Sequence, residues 1–518
     1  MSNFSPYSSF SVASLKKETT AGTAVQPDTA FAFLSESIEA GFGELSVQEM
    51  SGERIRDIRS VPDKIELGGD IEFLVEPKRI GDFLRSILGA PTTQTLTSSV
   101  AYRHMFEVTD TPKTYTIDIQ PSDAPWVHRF FGVQVNKIAF SKQDNLIKCV
   151  VSVMPRKAFI LSRVTASVSS GTTLTVDQTS GLTTGDTLLA IDGTDGYTTL
   201  QTFTIASIDS ETQVTVNETI TASIVGNEDY IVIKRQSLSY DQSLEFTWLG
   251  GSQLYTGDDV DNTTAEDFED FSIEFVNEVE PRYFAGVNEE ARYAGDIVTK
   301  GFSGSGNIMK FYNSQSHLDK ARKNEKIGLR VYIEGETALE ANSATKARTY
   351  WGSGNGFYVE ASTAGKAGND INVTLVIAAD DNLAVSKSGN NITVSLANAT
   401  ASKNTGTLIA SAINALSGVD SAAEGTGATQ FTSAVANCNL GTNDHGASTS
   451  PVVGRDASEK PYMQIDLADV RLQKFSPNAS EDSILEESIP LKFYKDTVGQ
   501  IRKNWLTRIY LVNSVTSY

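Results

Sequence analysis

The side chains from which catalytic and metal sites are most often built are sparse in this chain. Its histidines are His104, His128, His317 and His445. None has a second histidine four residues away, and none stands in a nucleophile-elbow setting beside serine or cysteine. The two cysteines, Cys149 and Cys438, lack metal-ligand spacing and fall in regions assigned below to different domains. We therefore expect no catalytic residue, metal or cofactor.

The run Gly301–Gly306 (GFSGSG) is the one segment that resembles a phosphate-binding loop. It precedes an apolar stripe at Asn307–Tyr312 that predicts a short helix, and a helix N-terminus can hold an anion. The run lacks the full dinucleotide fingerprint and the Lys-Ser ending of a P-loop. A strand-to-helix turn is the favoured interpretation.

Acidic side chains cluster at residues 258–262 and 266–270. Their density resembles that of a calcium loop, but the glycine and the terminal glutamate of an EF-hand are not in place. A solvated acidic loop is therefore favoured. It adds to a chain that carries 64 carboxylates against 43 basic side chains, for a formal net charge of −21. Such a surface argues against sequence-independent binding to the outside of nucleic acid, but it suits a protein past which nucleic acid must slide.

The strongest organisational signal is an internal repeat, because residues 44–71 align without gaps on residues 270–297. The identical pairs are Ser46/Ser272, Arg56/Arg282, Val61/Val287, Gly69/Gly295, Asp70/Asp296 and Ile71/Ile297. Further matches follow in the same order: Ile80, Phe83 and Leu84 with Ile308, Phe311 and Tyr312; 117–119 with 465–467; 133–138 with 470–475; and 147–153 with 485–491. The chain is therefore interpreted as two copies of one strand-rich domain with additional material.

Spacing locates the larger addition. Asp70 and Asp118 lie 48 positions apart, whereas Asp296 and Asp466 lie 170 apart, which leaves 122 extra residues in the second copy. In the first copy the corresponding place is the turn at residues 110–113. The added segment alternates apolar and polar residues at 371–376 and 392–396, which predicts a hairpin, and has helical spacing at 408–416. We expect a small α+β domain that projects outward.

A second addition lies between the copies, with strands predicted at 174–176, 187–191, 203–205, 214–216 and 230–233. It is expected to be an all-β module. The predicted fold class is mainly β, with two tandem β-sandwich or barrel modules, each with a short flanking helix, and two inserted small domains. The predicted segments are 1–162, 163–235, 236–336, 337–458 and 459–518.

Several of these motifs resemble tail tube proteins of long-tailed phages with non-contractile tails. They are Leu15–Ala24 (LKKETTAGTA), Leu34–Ser37 (LSES), the loop at 54–62, Gly68–Ile71 (GGDI) and the helix at 80–89. The resemblance covers about residues 10–160 and, more weakly, 237–335 and 460–500. It implies modules whose inner sheets join into a β-barrel around a lumen. Most relatives form hexameric rings of single modules, so a tandem duplication implies a trimeric ring with pseudo-sixfold symmetry.

The resemblance also implies partners and location. The chain would stack with itself as rings, enclose the tape measure protein and double-stranded DNA, and meet the tail terminator and distal tail proteins at the tube ends. It would belong to the virion tail, assemble in the host cytoplasm and have no membrane insertion. No apolar stretch approaches the roughly 18 residues that span a bilayer, and the N-terminus lacks a secretion signal.

Two sets of residues are candidates for these roles. Paired sheet edges would close the ring, and loops at 51–66 and 277–292 would stack the rings. The contact candidates are Arg54, Arg56, Arg59, Asp63, Lys64, Arg282, Glu289, Glu290 and Arg292. For the duplicated Arg56/Arg282 pair, a generic surface cation and an inter-subunit ion pair both stay open. Glu245 and Glu274, on strands predicted at 244–248 and 271–275, are the lumen candidates in a predominantly acidic wall.

Two other interpretations remain. Another virion ring component, such as a tail terminator or a baseplate or distal tail ring, would share the same fold. A bacterial surface adhesin built from β-domains should show a secretion signal and modules of similar length throughout, and neither is seen in the sequence.

Overall fold

The computed structural model describes most of the chain. The described residues are 12–48, 57–97, 101–110, 112–121, 124–238, 246–249, 251–260, 262–285, 292–311, 316–335, 339, 344–441, 449, 451–454, 460–473, 476–478, 486–496 and 505–518. The fold is mainly β and largely antiparallel, as the alternating apolar pattern predicts. The predicted fold class is thus confirmed at the level of a β-sandwich class.

Two groups of elements form the first half. The first module contains β1 (Val12–Lys17), β2 (Thr29–Phe31), β3 (Ser35–Glu36), β4 (Glu39–Gln48), β5 (Asp57–Leu74), α1 (Ile80–Leu88), β6 (Thr92–Thr97), β7 (Ala101–Glu107), β8 (Tyr115–Gln120), β9 (Trp126–Gln143), β10 (Leu146–Met154) and β11 (Lys157–Phe159). The first insert contains β12 (Ser162–Arg163), β13 (Thr173–Thr175), β14 (Thr187–Ile191), β15 (Thr199–Ser210), β16 (Gln213–Val216) and β17 (Tyr230–Lys234). All five strands predicted for this insert coincide wholly or largely with strands.

Two further groups form the second half. The second module begins with β18 (Ser252–Asp259), β19 (Asn262–Glu266), β20 (Asp270–Arg282), β21 (Asp296–Phe311), α2 (Ser316–Lys323) and β22 (Ile327–Glu334). The second insert contains β23 (Arg348–Trp351), β24 (Phe357–Ala361), a 3₁₀ helix (Lys366–Asp370), β25 (Asn372–Ile377), β26 (Ala384–Ser388), β27 (Asn391–Leu396), a 3₁₀ turn (Ala401–Lys403), α3 (Gly406–Ile413), β28 (Val419–Ala423) and β29 (Val435–Asn439). The module ends with β30 (Tyr462–Leu472), β31 (Ser476–Asn478), β32 (Glu486–Tyr494) and β33 (Thr507–Asn513).

The same order of strand pairing occurs in both modules. In the first, the chain of neighbours is β2–β1–β8–β9–β10–β5–β4. In the second, it is β19–β18–β22–β30–β32–β21–β20. A short strand then returns to the long central strand in each, as β11 on β9 and β33 on β30. All of these pairings are antiparallel.

The long strand β9 belongs to two sheets because it bends at Gly132. This glycine has φ 64°, a left-handed conformation that a residue with a Cβ rarely adopts. Before the bend β9 pairs with β8 and β11, and after it β9 pairs with β10 and β20. The Glu18 carboxylate accepts the Gly132 N–H at 2.6 Å, which stabilises the bend. The two sheets enclose the core between them.

The core of the first module is closed by α1. Its apolar stripe, Ile80, Phe83, Leu84, Ile87 and Leu88, has the spacing of one helix face, and all five side chains are buried. The Phe83 ring packs edge-on against Phe31 at 5.6 Å between centroids. The predicted helix at this position is therefore present.

The helix predicted at Asn307–Tyr312 is wrong. Residues 296–311 form β21, which is paired with β20 on one side and β32 on the other, and Tyr312 lies outside the described residues. Gly301–Gly306 lies inside this strand, so it is neither a phosphate loop nor a strand-to-helix turn. A Cβ at Gly304 would lie 2.5 Å from the Phe493 ring, so the small residues make room for an aromatic side chain. The helix of this module is α2, further along the chain.

Three other local predictions need correction. The hairpin of the second insert joins β26 to β27, whereas β25 and β27 run parallel. Phe246–Trp248 makes an isolated bridge, Leu146 to Thr247, instead of a long strand. The repeated segment begins a hairpin in each half, β4–β5 and β20–β21. The two hairpins differ in register, since Ser46 pairs with Ser60, whereas Ser272, which aligns with Ser46, pairs with Asn307.

The attachment point of the second insert also differs from the prediction. It lies between β22 and β30, which correspond by their pairing to β8 and β9. The equivalent place in the first module is therefore the turn between Gln120 and Trp126, not residues 110–113. The spacing was misleading because the first module has an additional hairpin, β6–β7, that pairs with β33. Residues 117–119 lie on β8 and residues 465–467 lie on β30, and by their pairing these two strands do not correspond.

Each insert has its own apolar core and is joined to a module through a buried arginine. In the first module, Arg129 is fully buried, and its Nε donates to Asp118 at 2.8 Å. Its Nη1 donates to Asp186 of the first insert at 2.5 Å. Burial lowers the pKa of Arg129, but Asp118 and Asp186 outweigh burial and raise it, so the guanidinium stays charged. Burial raises the pKa of Asp118, and the nearby Asp186 carboxylate raises it further, whereas Arg129 lowers it.

The second module repeats this arrangement with other residues. Arg330 is 8% exposed and lies on β22; its Nε donates to Asp466 on β30 at 2.7 Å. Its Nη1 donates to Asp370 of the second insert at 2.9 Å. In both modules, one arginine thus links an aspartate on the neighbouring strand to an aspartate of an insert. Charge-assisted bidentate pairs of this kind fix orientation as well as energy.

We expect Arg129→Met to lower the free energy of unfolding of the first module by about 3–5 kcal/mol, because it leaves two carboxylates buried without a cation. Urea titration monitored by tryptophan fluorescence measures the effect. Lys16→Met is the control, since the Lys16–Asp28 pair is exposed and contributes at most about 1 kcal/mol.

Adding Asp118→Asn to Arg129→Met should restore part of the lost stability, because one of the two uncompensated charges is removed. Equal effects of Arg129→Met and Lys16→Met would contradict this account of the buried cluster.

Candidate assembly surfaces

One sheet runs through both modules without interruption. Its order is β4–β5–β10–β9–β20–β21–β32, and the end of β30 together with β31 pairs with the far side of β32. The two halves meet where β9 pairs with β20, from Ser272 opposite Ser141 to Val276 opposite Lys137. Each module therefore contributes about four strands to a shared surface.

The two faces of this continuous sheet differ in chemistry. One face is apolar and buried, as alternate residues such as Val151, Ile138 and Phe275 show. The opposite face is polar, with serines at 141, 152, 272, 305 and 488 and an asparagine at 307. A sheet with one buried and one polar face is typical of antiparallel strands that border water.

The charges on the polar face are largely matched. Its described carboxylates include Glu66, Asp70, Glu72, Glu274, Glu278 and Glu280, and its lysines include Lys137, Lys148 and Lys492. Lys148 lies 3.3 Å from Glu72, and Lys137 lies 3.6 Å from Glu274. The face therefore has a small acidic excess instead of a dense acidic surface.

One edge of the continuous sheet is β4, which in the described residues pairs only with β5. Phe42 lies opposite Ile65, on the side of the sheet that faces the core, yet 65% of Phe42 is exposed. Leu45 and its partner Val61 are 59% and 45% exposed. An exposed strand edge with uncovered apolar side chains is a template for pairing with another chain.

The loop regions of the two modules contact each other within the chain. Tyr283 Oη donates to the carbonyl of Ile65 at 3.2 Å, and Arg292 Nε donates to the carbonyl of Asp63 at 2.7 Å. The Lys64 ammonium lies 5.5 Å from the centre of the Tyr283 ring. These contacts surround a groove of about 630 Å³ between the β4–β5 hairpin and the end of β20.

The structure brings together some of the predicted contact residues. Asp63, Lys64 and Arg292 lie at this junction between modules, Arg282 is exposed at the end of β20, and Arg59 lies on β5. Arg54, Arg56, Glu289 and Glu290 lie outside the described residues, as does the lumen candidate Glu245. Glu274 lies on the polar face of β20, beside Lys137.

Sequence reasoning missed both buried arginines. It did match Asp118 with Asp466, the two aspartates that receive them, although the strands are not equivalent. The available signal was an isolated charge inside a strand, such as Arg129 within the apolar run Val127–Val133.

Among the described residues, no group of three histidine, cysteine or acidic side chains is placed to hold a metal ion. No described helix has the length and apolar character needed to cross a membrane.

Comparisons with known proteins show what one part of the chain is similar to. Residues 11–261 match the model of a family described as phage tail tube protein. A comparison with curated proteins found no match. Among solved structures, the phage phi92 endosialidase aligns with 97% of this chain and 68% of its own at 9% identity and a TM-score of 0.16. A score this low carries no argument.

The matched region contains the first module, the first insert and β18, which opens the second module. The match covers slightly less than half of the chain, and over these residues the chain is similar to phage tail tube proteins.

Proposed function

We propose that three copies of this chain close into a ring with pseudo-sixfold symmetry, and that stacked rings form a tube through which double-stranded DNA leaves the virion. The observation that carries this proposal is the pairing of β9 with β20, which joins two modules of the same pairing order into one sheet. Eight strands per chain give about 24 strands in a trimer, more than the 16–18 that already enclose an aqueous channel.

The junction inside the chain supplies a template for the junction between chains. By pairing order, β20 corresponds to β4, and β9 corresponds to β30 with β31. The end of β30 and β31 of one chain would therefore pair with β4 of the next, as β9 pairs with β20. This pairing would cover the exposed apolar side chains of β4 and remove both sheet edges.

The loops complete the analogy. Within the chain, Tyr283 and Arg292 of the second module rest on the β4–β5 hairpin of the first. The first module would meet the β20–β21 hairpin of the neighbouring chain in the same way. An inter-subunit ion pair at the duplicated arginines Arg56 and Arg282 belongs to the same proposal. We also propose that rings stack on one another through the loops at residues 51–66 and 277–292.

Cryo-electron microscopy of assembled tubes should show three chains per ring, and a ring of six chains would overturn the proposal.

We also expect Phe42→Lys with Leu45→Lys to leave monomers in sedimentation experiments, because two charges would be placed in a buried interface. Leu408→Lys is the control, since this side chain is 45% exposed on the second insert. Tubes formed equally by both variants would exclude β4 as the ring edge.

The inserts should be dispensable for the tube. The ends of the second insert are already joined, because Gly335 N–H donates to the Pro461 carbonyl at 2.8 Å. A short turn in place of residues 336–460 should therefore leave protein that still polymerises, as seen by negative-stain microscopy. Failure of a folded, truncated protein to polymerise in any condition would make this insert part of the ring.

We assign the lumen to the polar face of the continuous sheet. Paired charges and many hydroxyl groups would give DNA few places to adhere, and the acidic excess would repel phosphate. Glu72→Gln with Glu274→Gln would leave Lys148 and Lys137 without these carboxylate partners and remove six negative charges per trimeric ring.

Open-ended tubes of this double variant should retain a short fluorescent DNA duplex in co-sedimentation, with a retention that falls steeply as salt increases. Asp192→Asn with Asp209→Asn is the charge-matched control on the first insert. Equal retention by the two variants would place the polar face outside the lumen.

A further inference from the structure

The groove of about 630 Å³ between the β4–β5 hairpin and the end of β20 lies at one end of the strands of the continuous sheet. Its walls combine apolar side chains, such as Leu67, Met154 and Tyr283, with the charged side chains Glu39 and Arg156. The volume is within the roughly 300–1,000 Å³ of sites that enclose a drug-sized molecule, so the groove has room for a short turn of another chain.

The opposite end of the same strands carries an exposed apolar side chain. There, β9 and β10 are joined by a turn at Asp144 and Asn145. Leu249 lies on this turn, because its N–H donates to Asn145 Oδ1 at 2.6 Å, and 71% of Leu249 is exposed. Trp248, the preceding residue, is buried and stacked on Phe271, with 5.1 Å between the ring centroids. Leu249 is thus held on a rigid support while its side chain stays in water.

The distance between the turn and the groove excludes a contact within one chain. β10 runs from the turn at Leu146 to the groove at Met154, and its nine residues span about 27 Å. β20 follows the same course, with Ser272 paired to Ser141 near the turn and Pro281 in the groove. A chain therefore cannot fill its own groove with this turn. Copies stacked in the same direction can, because a head-to-tail contact pairs two different surfaces of one molecule.

Unpaired charges at the two ends are of opposite sign. In the groove, Arg156 Nε donates to the Ala294 carbonyl at 3.3 Å, and no described carboxylate is paired with this guanidinium. On the turn, Asp144 is exposed and has no cationic partner among the described residues. A turn inserted into the groove would bring these two charges together.

The carboxylates of the groove do not oppose this fit. Glu66 is already paired with Lys64 inside the chain. Glu39 is exposed on the groove wall, and the turn is preceded by Lys142, which carries the matching charge. The apolar part of the wall would receive the Leu249 side chain and remove it from water.

We propose that Leu249 and the β9–β10 turn of one chain insert into this groove of a chain in the next ring, with Asp144 against Arg156. This inference rests on the proposed stacking of rings and names the two surfaces that meet. Each chain supplies one turn and one groove, so every ring can bind a further ring at either end. Repetition of a single contact in one direction would lengthen the tube.

Cysteine cross-linking tests this contact. Oxidised tubes of the double variant Leu249→Cys with Glu39→Cys should give, in denaturing gels, a ladder of covalently joined chains that extends well beyond six. A disulfide requires Cα atoms within about 7 Å, so the two positions of one chain are too far apart to join. Cross-links between neighbours in one ring would stop at the number of chains in that ring. The native Cys149 and Cys438 are buried, and the control Leu408→Cys with Glu39→Cys should give single chains.

A charge at the tip of the turn should prevent stacking without affecting folding. For Leu249→Glu we expect single rings in negative-stain microscopy, at least a tenfold higher protein concentration for tube formation, and unchanged thermal unfolding. Leu408→Glu, at an exposed site on the second insert, should form tubes like the unmodified chain.

Tubes that give no ladder, or tubes formed equally well by Leu249→Glu, would overturn this inference and leave the three-chain ring intact. An unmodified chain that forms no rings would instead overturn the proposed function, and the inference with it.

Discussion

The pairing of β9 with β20 is the contact on which the architecture depends. Without it, each module would end in a strand with unpaired backbone groups and an apolar core open on one side. With it, the cores of both modules become continuous, and side chains from Leu15 to Leu511 lie in one cluster. The pairing also leaves β4 at one end of the sheet and β31 at the other. The strand edges between the two modules are therefore paired, whereas the two end strands of the sheet each keep one unpaired edge among the described residues. A closed assembly is the simplest solution that removes them.

The inserts are held by a different physical device. Each module meets its insert through an arginine that bridges one aspartate of the module and one of the insert. Apolar contacts alone are non-directional, whereas a buried guanidinium between two carboxylates has one good geometry. The residues are not conserved between the two halves: the arginine lies on β9 in one and on the strand equivalent to β8 in the other. The two arrangements are alike, but the arginine and its aspartate stand on exchanged strands.

Much of the fold follows from local patterns in the sequence. Alternation gave the strands of the first insert, helical spacing gave α1, and the repeat pointed to two related modules. The errors have physical causes. The stripe at residues 307–312 fits a helix locally, but two neighbouring strands satisfy its backbone and make it a strand. The insertion point was displaced by the hairpin β6–β7, whose partner β33 lies about 400 residues further along the chain. The ion pairs on the polar face could not be predicted from the sequence either, because partners such as Lys137 and Glu274 are far apart along the chain.

The location of the inserts connects these features. Each insert docks on the sheet of its module that packs against the continuous sheet. The first insert pairs β17 with the start of β9, and the second leaves the chain between β22 and β30. The polar face of the continuous sheet and the edge β4 therefore stay uncovered by either insert. Because the docking residues are separate from the edge and the polar face, an insert can change in sequence without altering how modules pair. Arg103 belongs to neither an insert nor the edge, yet it lines a cavity together with residues of the second insert, because that insert docks beside β22 and β30.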